Sequence, residues 1–323
     1  MKRQTSQTPH QNTMNLVEWS MLIVLSILWG GSFFFNGVAL QELPVFTVVF
    51  GRVCIAAIAL QIFLKIRGIS FPVAPKILGA LLFMGFINNV VPFSLIVAGQ
   101  TQIGSGLASV LNATTPLFTA VIAHLFTTEP SEKLTRRKIA GVLFGIIGVG
   151  VMIGPDISAI GFSGSDVLGQ LAVLAAAASY GVALVFGRRF AKAGISPMII
   201  ATGQMTGATL LLAPLVFIVD NPIDIITSLS ISTIAAIFAL ALFSTALAYI
   251  LYFKILSSAG AMNASLVTLL VPVSAIILGI LFLGEALAFK TLAGMGFVGV
   301  GLLVIDGRVL NLLKQKQPGK IPG

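Results

Sequence analysis

The chain is predicted to be an all-α membrane protein of ten transmembrane helices, built as two inverted five-helix repeats with both termini cytoplasmic. Three observations predict this. Ten apolar stretches have spanning length, Lys and Arg gather on alternate connections between them, and the second half of the chain echoes the first.

Composition sets the class. Of 323 residues, 57% are hydrophobic and 9% charged, with a mean hydropathy of +1.05. Soluble domains carry roughly 25% charged residues. A bilayer accommodates this apolar excess, and a helix crosses it with about 20 apolar residues. The stretches run over 17–38, 45–66, 77–98, 103–127, 136–154, 166–189, 197–219, 232–255, 261–284 and 289–308. Residues 1–14 are polar and expected to be a disordered tail, and 311–323 a basic one. The stretch after Trp19 lacks a small-x-small cleavage site, so it is expected to stay as the first helix and to serve as the targeting signal.

Orientation follows from the basic residues. With a cytoplasmic N-terminus, that side receives Lys2, Arg3, Lys65, Arg67, Lys76, Lys133, Arg136, Arg137, Lys138, Arg188, Arg189, Lys192, Lys254, Arg308, Lys314, Lys316 and Lys320. The other side receives Lys290, and Arg52 falls within a helix. Such asymmetry sets orientation, and losing one helix would scramble it. The net charge of +9 therefore reports topology and contact with anionic lipid, not nucleic acid.

Next comes the repeat. Gly104, Ala108, Ser109, Pro116 and Glu129 recur at one offset as Gly260, Ala264, Ser265, Pro272 and Glu285. Ile139-Ala-Gly parallels Leu292-Ala-Gly, Trp29-Gly30 parallels Tyr180-Gly181, and Pro44 parallels Pro197. This predicts repeats over 15–155 and 156–310 in one membrane domain. Five helices per half place equivalent helices antiparallel, as in secondary transporters with a midplane site. The alternative is an old duplication kept for packing.

Leu28-Trp-Gly-Gly-Ser32, Arg52, the paired stretches ending at Pro116 and Pro272, and the segments Glu129–Gly141 and Glu285–Gly294 resemble the drug/metabolite transporter superfamily, in its EamA family. The likeness covers about residues 16–308. "FTTEP" stands in the first half where Leu283-Gly284-Glu285 keeps the family's leucine-rich run. The resemblance implies export of amino acids or related small metabolites across the inner membrane.

Candidate substrate-binding residues are Trp29, Arg52, Phe86, Asn89, Asn112, Tyr180, Gln204, Tyr249 and Thr268. Pro116 and Pro272 break the helical ladder in mid-span and free the carbonyls of Asn112 and Thr268, so they are candidate hinges. Ser105, Asn112, Thr115, Pro116 and Thr119 form one stripe, and Ser265, Thr268, Pro272 and Ala275 another. Each lines a cavity or glues helices together. Asn88-Asn89 and Gln204 are costly against lipid and suit either a substrate or structural hydrogen bonds. Arg52 either attracts a substrate carboxylate or clasps backbone carbonyls. The resemblance, which places an arginine here whatever the substrate, favours the clasp. Trp29, Phe33, Phe86, Tyr180 and Tyr249 either offer faces to an aromatic substrate or, as most aromatics here do, face lipid. His124 suits an interfacial position better than proton coupling. Gly141, Gly145, Gly148, Gly294, Gly296, Gly299 and Gly301 are read as close-packing positions.

No Asp or Glu falls in mid-helix, which favours a facilitator driven by the substrate gradient. No P-loop, dinucleotide fingerprint or nucleophile–base pair is present, and Cys54 is alone, so no enzyme, cofactor or metal is expected. The expected partners are a small-molecule substrate and membrane lipid, and the expected state is a monomer. Nucleoside, nucleotide-sugar or drug transport is the second reading, and a membrane scaffold the third.

Overall fold

The computed structural model describes residues 14–71, 74–130, 133–153, 165–222, 225, 228–286 and 288–306. The expected tails, apart from Met14, and the junction between repeats lie outside them. Among the described residues the helical segments group into ten rods, in the order α1 Leu16–Ala39, α2 Val45–Ile66, α3 Pro75–Gln100, α4 Ser105–Phe126, α5 Arg136–Ile153, α6 Ser165–Lys192, α7 Pro197–Asp220, α8 Ile231–Gly260, α9 Val267–Leu283 and α10 Phe289–Asp306. Eight are long and apolar enough to cross a membrane. The other two are α5, which starts with three basic residues, and α9, which has 17 residues. Local caps start several rods. Asn15 and Glu18 form a reciprocal capping box at α1, the Ser196 hydroxyl accepts from the Ile199 amide at α7, and the Ser230 hydroxyl accepts from the Thr233 amide at α8.

Helix contacts come in pairs related by the repeat. α1 packs on α9, and its counterpart α6 packs on α4. α3 packs on α6 and α7, as α8 packs on α1 and α2. α2 and α7 pair with each other, and so do α5 and α10. The α5–α10 seam is the most extensive helix contact and is made by glycines. A Cβ at Gly148 would lie 2.7 Å from the Gly294 carbonyl, and one at Gly301 would lie 2.6 Å from the Gly141 carbonyl. In lipid such close backbone approach supplies the packing energy that hydrophobicity cannot. Around the bundle, Ile23, Ile62, Leu210, Ile231 and Leu281 are exposed, as residues that face lipid must be.

Three rods contain π-helical turns, at Phe86–Val90 in α3, Val216–Asp220 in α7 and Leu242–Leu247 in α8. The first and third sit at the same offset that relates Gly104 to Gly260, so the bulge is itself repeated. Pro92 accounts for the first, because it has no N–H to return to the preceding turn. The Ile87 carbonyl left over accepts from the Ser179 hydroxyl of α6 at 2.6 Å. In α8 the Thr245 hydroxyl donates to the Leu240 carbonyl at 2.8 Å.

α4 is broken, where the sequence suggested a kink. Ser105–Asn112 ends at Ala113, and Thr115–Phe126 restarts with Pro116 in its first turn. The Asn112 carbonyl, expected to be free, accepts from the Thr115 hydroxyl at 2.7 Å. Beyond Gly260, whose φ of +82° only glycine tolerates easily, a helical turn runs to Ala264 before α9 begins at Val267. Pro272 lies inside α9.

Candidate functional site

The two repeated bulges face a common centre. α3 contributes Asn88 and Asn89, α8 contributes Ser244 and Thr245 from the matching rungs, and α2 contributes Arg52. Arg52 is 6% exposed. Its Nε donates to Thr245 Oγ1 at 2.9 Å, and its guanidinium lies 3.7 Å from the centre of the Phe93 ring. Its electrostatic neighbours are the hydroxyls of Tyr180 and Tyr249. Its terminal nitrogens make no hydrogen bond among the described residues. The described acidic residues stand at helix ends and connections, so none neutralises it. A buried cation is tolerable only with a partner, and hydroxyls and an aromatic face supply part of one.

Beside Arg52, Asn88 Nδ2 donates to Gln204 Oε1 at 3.0 Å and approaches Tyr249 Oη at 3.5 Å. Asn89 is fully buried, and neither of its amide atoms has a hydrogen-bond partner, although the Tyr249 hydroxyl is nearby. The Ser244 hydroxyl and Asn112 Oδ1 are likewise buried and unpaired. Orphaned buried polar atoms are rare and call for an explanation such as a ligand. Aromatic rings close the space. Trp29 and Tyr252 lie 5.4 Å apart, Tyr249 stacks on Phe253 at 6.0 Å, and Phe93 meets Tyr180 edge-on at 6.5 Å. Tyr180 packs against both large hydrophobic clusters of the bundle.

Of the residues singled out in the sequence, Arg52, Asn89, Tyr180, Gln204 and Tyr249 therefore meet in one cluster. Trp29 joins through Tyr252. Asn112 and Thr268 are half-buried on the broken α4 and on α9, without a direct contact to Arg52. Phe86 is 44% exposed, and no ring or polar contact ties it to the others. His124 sits at the end of α4, where its Nδ1 accepts from the Leu134 amide. Arg52 holds a hydroxyl and a ring, not the helix-end carbonyls expected of a clasp. Thr245, Phe93, Ser244 and Tyr252 were missed. The repeat itself carried the signal for two of them, since its offset takes Asn88-Asn89 to Ser244-Thr245.

A cluster of this kind, buried between two equivalent halves, can hold a small polar molecule with an anionic group and apolar bulk. Comparison with known proteins shows the family. The model of the EamA-like transporter family matches residues 18–154 and again 167–306. The chain is 27% identical to "Uncharacterized transporter YoaV" of Bacillus subtilis over 88% of this chain and 94% of that protein. It is also 27% identical to "Uncharacterized inner membrane transporter YedA" of Escherichia coli K12, over 93% and 92%. A WAT1-related chloroplastic protein of Arabidopsis thaliana is 26% identical over 90% of this chain and 69% of its own. A solved crystal structure shares the fold, with a TM-score of 0.64 at 18% identity, covering 94% of this chain and all of that one. With two copies of the family's unit in tandem, the chain belongs to the EamA-like transporter family of the drug/metabolite transporter superfamily, and it is a multi-pass membrane transporter.

Proposed function

We propose that this transporter moves amino acids or closely related small carboxylates out of the cell across the inner membrane by alternating access, as a monomer, with all ten rods spanning and both termini cytoplasmic. One observation carries the substrate reading. Arg52 is a buried guanidinium whose terminal nitrogens are uncommitted and which no carboxylate of the described chain neutralises. Its planar fork matches a carboxylate, which would accept two parallel charge-assisted hydrogen bonds. Asn89 and Ser244 have polar atoms to spare for an ammonium or hydroxyl, and Trp29, Tyr180, Tyr249 and Tyr252 supply apolar faces. The Lys- and Arg-rich connections support the orientation.

Counterflow in proteoliposomes with a panel of amino acids, nucleosides and drugs is the test. Free acids should exchange, and methyl esters of the same amino acids should not. Exchange of esters or of cationic drugs as well as of acids would rule out a carboxylate-reading Arg52. Tags at both termini should report from the cytoplasmic side and a tag in the 220–230 connection from the other. A C-terminus on the far side would break the ten-span model.

A further inference from the structure

Glu285 follows α9, where Gly284 turns the chain back at a φ of +65°. Its carboxylate crosses to the start of α4 and accepts from the Ser105 amide at 2.6 Å and the Gly106 amide at 3.0 Å. Glycines hold it from both sides. A Cβ at Gly104 would lie 2.9 Å from Glu285 Oε2, and one at Gly279 would lie 2.5 Å from it. A carboxylate on the free amides of a helix N-terminus is charge-assisted and favoured by the helix dipole. Around it Gln100 Nε2 donates to the Phe33 carbonyl at 2.8 Å and to Ser105 Oγ at 3.1 Å, and Asn36 donates to Gln100 at 2.9 Å. The ends of α1, α3, α4 and α9 are thereby laced shut.

The repeat gives the carboxylate and the backbone it grips a twin at the opposite end of the bundle, although not the Gln100 lacing, since Leu256 stands at that position. Glu129 answers Glu285, Gly260 answers Gly104, and Ala261 and Met262 answer Ser105 and Gly106. There Glu129 stands away from the helix terminus. The Glu129 side chain is 60% exposed, and among the described residues its one ion pair is a 3.8 Å contact with Lys192, itself 77% exposed. Such a pair contributes little. A Cβ at Gly260 would meet open space, whereas one at Gly104 would meet the carboxylate. Packing follows the same division. The first half of α4, Ser105–Asn112, packs on α9, and the second half, Thr115–Phe126, makes no comparable contact with α9 or with the end of α8. Two equivalent closures, one made and one open, are what a carrier caught in one of its two states would show.

We infer that Glu285 bolts the outer gate and that Glu129 bolts the inner one, accepting from the backbone amides of Ala261 and Met262 when the outer bolt is released. The inference rests on the alternating-access reading above. The inner bolt is built less well. Thr128 stands where Gly284 makes the turn, and Ala123 stands where Gly279 makes room. The carrier therefore rests with its outer mouth shut. Neither glutamate touches the substrate. Each is a positioning residue that acts through a helix terminus.

Hydrogen exchange of the full chain in nanodiscs, read on peptides covering 103–112 and 259–268, tests this. Glu285→Gln should speed exchange at Ser105 and Gly106 roughly tenfold, as expected for the loss of a charge-assisted bond. It should also slow exchange at Ala261 and Met262. Glu129→Gln should do neither in the resting protein, and combined with Glu285→Gln it should abolish the slowing. Gly104→Ala, which crowds the carboxylate from the other side, should mimic Glu285→Gln. In a Cys54→Ser background, Thr268→Cys should become several-fold more reactive to an impermeant thiol reagent added outside when Glu285→Gln is present. An ordinary helix cap would change its own peptide and leave the twin peptide and the labelling untouched, and that result overturns the bolts. Labelling of Thr268→Cys that shows no sidedness even with both glutamates present overturns alternating access, and the bolts with it.

Discussion

Asn89 and Thr245 stand on the same rung of two repeated π-helical bulges, yet Thr245 holds Arg52 at 2.9 Å while both amide atoms of Asn89 are unpaired. The two halves of the chain thus bring equivalent backbone to the centre and spend it differently. One side fixes the cation, and the other leaves hydrogen-bonding capacity open. A bulge suits this because it turns two adjacent side chains inward and leaves a backbone carbonyl for a hydroxyl to satisfy.

Arg52 and Thr245 should separate by variant. Thr245→Val removes a bond to a charged group, worth about 1.5–3 kcal/mol, and should raise the half-saturating concentration in counterflow about tenfold or more. Arg52→Lys keeps the charge and loses the fork, so binding should fall further while the protein still folds. Arg52→Gln should erase any preference for free acids over their methyl esters. An unchanged preference would relieve Arg52 of a role in recognition.

Two glycines in α3 should respond to alanine with opposite signs. A Cβ at Gly79 meets open space, so Gly79→Ala should raise the thermal midpoint in detergent, through roughly 0.5–1 kcal/mol of helix propensity. A Cβ at Gly85 would lie 2.5 Å from the Gln204 carbonyl and 2.9 Å from the Ala208 amide nitrogen, both backbone atoms of α7. Gly85→Ala should cost about 1–3 kcal/mol and weaken substrate binding by moving Gln204. Equal midpoints for the two variants would contradict the packing of α3 on α7.

Glu42, in the connection between α1 and α2, accepts from the Ser230 amide at the start of α8 at 2.9 Å. That hydrogen bond, with help from the Ser230 and Thr233 hydroxyls, holds its pKa below the ordinary 4.5. A carboxyl whose folded pKa is depressed stabilises above its unfolded pKa, and the contribution fades as pH falls through the folded one. Thermal midpoints of the wild type and Glu42→Gln should differ slightly near neutrality. The gap should close as pH drops below 4.5. A gap that persists or widens in acid would assign the effect to something other than this carboxylate.

Pro116→Ala and Pro272→Ala should both fold and bind substrate yet transport slowly, because each restores a backbone donor where the ladder is interrupted. Their resting states should be biased differently. Pro116 opens a rod already broken at Ala113, whereas Pro272 sits inside a continuous one. Wild-type rates in both variants would make the prolines packing details.

Much of this arrangement was legible in the chain. The apolar stretches met the rods to within a few residues in most cases. Arg52, Asn89 and Gln204 stood out because polar groups in apolar runs need partners, and Tyr180 and Tyr249 because their rings offer faces to a substrate. The bulges were not legible, since a π turn is made of the same residues as an α turn and Leu242–Leu247 contains no proline to announce it. Phe86 illustrates a second limit. Helical spacing gives a residue's face only if the helix is regular, and Phe86 begins an irregular turn. The break of α4 at Ala113 escaped because Pro116, three residues on, drew attention to itself.

The seam between α5 and α10 maps onto itself when the two repeats are exchanged, since each rod is the other's counterpart. Exchange carries the Gly148–Gly294 contact onto the Gly301–Gly141 contact, and both are already made together in this one structure. A substitution there has no side to favour. Bulky residues at these glycines should therefore change how much carrier reaches the membrane intact, and leave untouched the ratio in which it faces one way or the other.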